Sequence, residues 1–113
     1  PRLLTMEALE AEAIAAEVAR DLLAGDTASV RSRFGLALAF SMRQRHIEAG
    51  WQAATAHAGG EARSWRQLRT TPVRAGHVVD VAVDCAGGWF LLRVTVGRRA
   101  RVAGLNLLPA GRY

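Results

Sequence analysis

The chain has 113 residues, half of them hydrophobic, and a single cysteine, which suits one folded unit with one core and excludes a disulfide framework or a thiolate metal site. Its net charge of +5 comes from fifteen basic residues, every one an arginine. With abundant alanine, glycine and valine, that bias reads as the codon usage of a GC-rich bacterial genome and weighs little as a nucleic-acid signature. No run of about 18 apolar residues occurs, so no membrane-spanning segment is expected. The chain begins at Pro1 rather than methionine, from which a trimmed or processed product is expected. The compartment is open between the cytoplasm, slightly favoured, and secretion after removal of a signal peptide.

From Thr5 to Ala24 the sequence is rich in Ala, Leu and Glu, and its spacing predicts a helix with Thr5 as N-cap, Glu7 in the first turn and Gly25 as the stop. Ala11, Ile14, Ala15, Val18 and Leu22 form its apolar stripe, and Glu10, Glu17 and Asp21 lie on a solvated flank. Asp26 is placed to cap a short second helix through Val30 and Phe34, ended by Gly35. Leu36 to Phe40 leads to Ser41, a second possible cap, before a third helix from Met42 to about Ala58. Phe40, Ile47, Trp51, Ala54 and Ala58 recur at helical spacing, with Trp51 at the centre of the stripe. Gly50 inside this helix predicts the close approach of another element.

At Gly59-Gly60 the hydrophobic period changes from helical to alternating. A first strand is expected near Ala62 to Thr71, broken by Pro72. A second runs from Gly76 to Ala86, with Val79, Val81, Val83 and Cys85 on one face and Asp80 and Asp84 on the other. Gly87-Gly88 turns into a third strand, Trp89 to Val96, and Gly97-Arg98-Arg99 turns into a fourth, Ala100 to Leu108. Turns this short leave no room for crossover helices, so at least the last three strands form an antiparallel meander and the class is α+β.

The leading helix ending in Leu22-Leu23-Ala24-Gly25-Asp26, the later Val30 and Phe34, Trp51 followed by Gly59, and the closing Val102-Ala103-Gly104-Leu105-Asn106 with Pro109 occur in one order. In that order the chain resembles an uncharacterised bacterial family of small domains with the nuclear-transport-factor-like (cystatin-like, ketosteroid-isomerase-like) cone fold. The resemblance covers nearly the whole chain. It implies a single α+β domain over residues 1–113, helices over about 5–58 and a curved sheet of about four strands over about 61–109, with a conical pocket between the layers. Relatives of that wider fold isomerise steroids, cyclise polyketides, catalyse hydration or simply bind ligands, and fold alone does not choose among these. The last turn departs from the pattern: such sequences often carry acidic residues there, and this one has Arg98 and Arg99.

An isomerase on such a cone needs a carboxylate base inside it, shifted by an apolar setting. Asp80, Asp84 and His77 are the strand residues of the right type, but alternation turns both aspartates away from the valine face, so solvent exposure on the convex side is expected for them and no catalytic residue is assigned. His46 and His57 lack a third ligand at useful spacing, and no metal or cofactor is expected. Cys85, inside an apolar strand, reads as a buried small hydrophobe. Trp51, Trp65 and Trp89 can line a hydrophobic cavity with Arg93 at its mouth, which makes these four the candidate ligand-binding residues for a small apolar or anionic molecule. Both faces of the third strand are partly apolar, which predicts a sheet covered by helices on one side and by a second copy or an adjacent domain on the other. The expected function is therefore a non-enzymatic binding or assembly module, with a small-molecule-binding or isomerase-like enzyme as the alternative. Nucleic-acid binding through Arg63, Arg66, Arg69, Arg74, Arg98, Arg99 and Arg101, with Trp65 and Trp89 for stacking, is the third and least favoured class.

Overall fold

Thr5 opens the first helix as its spacing predicts, its hydroxyl accepting the Ala8 N–H at 3.0 Å. The structure, a computed structural model, describes residues 4–112. Helix α1 spans Met6–Leu23, and Ala8, Ala11, Ala15, Val18, Ala19 and Leu22 bury one face of it. Four of those six are alanines, so the helix axis lies close on whatever it covers. Gly25, at a φ of 77°, ends it.

Helix α2 is Thr27–Ser32, capped by the Asp26 carboxylate, which accepts the Ser29 N–H at 3.2 Å. It stops short of Phe34, which instead forms a one-residue bridge to Val102 and is buried there. The next segment differs from expectation. Leu36–Ser41 is a helix of its own, α3, and Met42 is extended (φ −122°, ψ 105°), so α4 begins only at Gln44 and runs to His57. Ser41 does not cap α4; its hydroxyl turns back to the Leu38 carbonyl. The cap is made by His46, whose Nδ1 accepts the Arg43 N–H at 2.9 Å. The break at Met42 resets the helical phase, which takes Phe40 out of the buried stripe and leaves it 82% exposed. Ile47 stays buried and Trp51 stays packed on the core, edge-on to Phe90 at 5.4 Å between ring centres.

Four strands follow, β1 (Ala62–Val73), β2 (Gly76–Cys85), β3 (Gly88–Val96) and β4 (Val102–Arg112), paired antiparallel in sequence order. Pro72 does not break β1: it pairs with His77, because an edge strand needs hydrogen bonds on one side only. Pro109 is tolerated inside β4, the other edge, for the same reason. The β2–β3 loop is Ala86-Gly87, and β4 starts two residues later than expected because Arg98–Ala100 forms a 3-10 turn with Arg99 and Ala100 at φ of 60° and 57°. The register slips at four places, each giving an edge strand one extra residue: Arg63 and Leu68 in β1, Ala103 and Ala110 in β4. Bulges of this kind bend and twist a strand, so the sheet curves at both margins.

Val79, Val81 and Val83 of β2 and Phe90, Leu92 and Val94 of β3 face the helices and, with α1 and Ile47, make the core. Cys85 is buried among them, and burial pushes its thiol pKa up. Helix α1 lies over β1 to β3, and α4 lies over β4, where Gly50 opposes Leu107. At the layer junction Gly59 and Gly87 pack backbone to backbone; a Cβ on Gly59 would come within 2.7 Å of the Gly87 Cα. The result is an α+β molecule of 37 × 36 × 20 Å, with N-terminal helices on one face of an open, curved antiparallel sheet, an arrangement that fits a cone-like fold. No described helix is long and apolar enough to cross a membrane.

Candidate functional site

Alternation along β2 places Asp80, Ala82 and Asp84 on the face away from the helices, and cross-strand pairing brings Arg69 and Arg93 to either side of Asp80. Asp80 is not exposed as alternation alone suggests; it is 2% exposed on a face that no helix covers. The arginines bury it. Arg93 donates from Nε to Oδ1 at 2.8 Å and from Nη2 to Oδ2 at 3.3 Å, and Arg69 donates from Nε to Oδ2 at 2.9 Å. Three adjacent strands are thus joined through one carboxylate. The Arg93 hydrogen bonds hold the Asp80 carboxyl below its ordinary value, burial opposes them, and Arg69 adds to the lowering.

A folded-state pKa below the ordinary value of 3.8 means that Asp80 stabilises the fold above that pH, and that this contribution is lost as pH falls through the depressed value. Asp80→Asn is expected to cost about 2 kcal/mol at neutral pH, the scale of hydrogen bonds to a charged group. Denaturant melts of both proteins from pH 7 to pH 2 test this: the gap should close below about pH 4, where an ordinary Asp titrates. A gap that persists unchanged to pH 2 would show that the charge on Asp80 is not what matters.

Beside this tie, Arg66 stands over the Trp89 ring at 6.0 Å from its centre, with its Nε 3.6 Å from Asp84. Gly111 lies beneath the indole, where a Cβ would meet Trp89 Nε1 at 2.8 Å. Leu91 pairs with Leu108 and Arg93 with Asn106, so this outer face presents a half-buried strip of Trp89, Leu91 and Leu108 around the charged centre.

The inner side carries a different feature, a groove of about 510 Å³ between α4 and β4. Its walls are mostly apolar, among them Met42, Ile47, Ala54, Phe90 and Leu107, with His46 and His57 as its polar side chains. No carboxylate lines it. The volume falls in the range of small-molecule sites.

The four residues expected to form one ligand site do not meet. Trp51 packs on Phe90 and Trp65 lies under Arg20 of α1, both on the helix side. Trp89 and Arg93 belong to the outer face. None of the four lines the groove. Of the other candidates, His77 shares the valine face at the end of β2, and Arg66 and Arg69 are engaged by Asp84 and Asp80. Among the described residues no three His, Cys, Asp or Glu side chains cluster as metal ligands. The signal missed in the sequence is the Arg69–Asp80–Arg93 tie. No family model matches the chain, and neither a curated protein nor a solved structure does.

Proposed function

We propose that this chain is a non-enzymatic binding or assembly module of the nuclear-transport-factor-like kind, pairing with a second copy or an adjacent domain through the outer face of its sheet. The observation that carries this reading is that Trp89, Leu91 and Leu108 stay half-buried on a face over which no helix packs, around a centre in which Asp80 is held by two arginines. Four strands about 4.8 Å apart and about eight residues of about 3.3 Å in length offer about 500 Å² per copy, so two copies bury about 1,000 Å², the lower end of a specific interface.

The expected result in sedimentation equilibrium is a mass near twice that of the 12.2 kDa chain, falling to one chain in Leu91→Glu. A dimer that survives Leu91→Glu with unchanged affinity would move the interface elsewhere, and a monomer at every concentration would end the self-assembly form of the proposal. A second reading, small-molecule binding without catalysis, is favoured by the groove between α4 and β4, whose walls are apolar and free of carboxylates. A carboxylate base of the kind expected for an isomerase is not among its walls, since Asp80 and Asp84 belong to the opposite face, and the groove's ionisable groups are His46 and His57.

A further inference from the structure

Four exposed arginines and the most exposed large apolar side chains of the described residues gather at one end of the molecule. In an antiparallel meander the β1–β2 turn and the β3–β4 corner fall at the same end, which brings Arg74 together with Arg98, Arg99 and Arg101. Two clefts share Arg98 and Arg99. One runs between the corner, the 72–77 turn and the start of α1, and the other runs between the corner and Gly35-Leu36 of α3. Leu36 is 91% exposed, and Phe40, four residues on and on the same face of α3, is exposed nearly as fully. Met6, in the first turn of α1, is 78% exposed.

None of the four arginines forms an ion pair with a described carboxylate, whereas Arg33, Arg66, Arg69 and Arg93 all do. Arg101 donates to the Ser32 carbonyl at 3.1 Å, which fixes its direction. Arg99 and Ala100 hold left-handed backbone conformations that side chains with a Cβ rarely adopt, and so the corner is set rather than loose. Glu7 and Glu10 border the first cleft, so the positive charge centres on the corner, beside the uncharged α3, rather than on α1.

We propose that this end of the molecule docks on the surface of an anionic lipid bilayer, with Arg74, Arg98, Arg99 and Arg101 on the headgroup phosphates and Leu36, Phe40 and Met6 entering the boundary beneath them. Charge alone would suit a nucleic acid equally well, but a phosphodiester backbone leaves Leu36 and Met6 in water. A bilayer surface takes both halves of the pattern at once: protruding apolar side chains at the acyl boundary and guanidinium groups among the phosphates. Separate knobs around a charged corner also differ from the contiguous flat strip on the outer sheet face, and this docking is independent of that one.

The test is flotation of the full chain with vesicles of phosphatidylcholine alone and of phosphatidylcholine with phosphatidylglycerol. Binding is expected to the mixed vesicles and to weaken as salt rises. Arg98→Ala with Arg99→Ala is expected to lower the partition coefficient about 25-fold, at about fivefold for each basic residue near an anionic surface. Leu36→Ser with Phe40→Ser is expected to lower it at least about tenfold at unchanged charge. All four positions are exposed, so circular dichroism should be unaltered and a lost signal will not be lost folding. Equal binding to neutral vesicles, indifference to the Leu36 and Phe40 changes, or retention of an oligonucleotide with no vesicle binding would each overturn the proposal.

Discussion

Phe90→Ala is expected to destabilise the protein by about 3–5 kcal/mol, the range for deleting a buried aromatic ring. Phe90 is 1% exposed, meets Trp51 edge-on and floors the groove between α4 and β4. Its loss therefore removes apolar burial, loosens the edge-on Trp51 contact between the helical layer and the sheet, and opens the groove downward. For a chain of this length the thermal midpoint should fall by more than about 10 °C. Phe40→Ala supplies the comparison: on its exposed face of α3 it should cost no more than about 0.5 kcal/mol. Parallel thermal melts of the two variants measure the contrast, and similar losses in both would mean that α3 packs where the structure leaves it open.

Gly76→Ala should rank with it. A Cβ at Gly76 would stand 1.9 Å from the Val96 carbonyl oxygen, 2.9 Å from its carbon and 3.0 Å from the Gly97 Cα. Every neighbour is backbone, so no side-chain rotation relieves the overlap and the start of β2 must move off β3. A loss of about 3 kcal/mol is expected, the upper end for overpacking. Gly25→Ala is a useful counterpart, since nothing lies within 4 Å of its Cβ position and only its φ of 77° resists the change. Urea midpoints for the pair separate steric from conformational cost. A Gly76→Ala protein as stable as the parent would place β2 and β3 farther apart than described.

Where a signal is local, the residues carried it. The Thr5 cap and the three-four spacing of Ala11, Ala15, Val18 and Leu22 predict α1 almost to the residue, and alternation in β2 and β3 predicts both strands and their faces. What failed was non-local or depended on a single kink. Phe40 fits a helical stripe with Ile47 and Trp51 only if the helix continues through Met42, and the extended backbone there breaks it. The Asp80 tie depends on the bulge at Leu68: a regular ladder would set Leu68 opposite Asp80, and the extra residue sets Arg69 there instead. No pattern along β1 alone states where a register slips. Trp51, Trp65, Trp89 and Arg93 share the chemistry of a pocket lining, but a sheet separates the first two from the last two, and residue type says nothing about which side of a sheet a tryptophan occupies.

Both margins of the sheet share one property. Each outer strand carries a proline, Pro72 or Pro109, and each carries two bulged residues. A foreign strand laid along either margin would meet a missing donor and a ladder that changes step twice, which is how open sheets discourage edge-to-edge stacking. The two middle strands, paired without a bulge and rich in valine, are the segments most capable of cross-β growth, and they are fenced on both sides by strands unfit to propagate it. Growth of the sheet by added strands is thereby discouraged at both margins, while its broad outer surface carries no such guard.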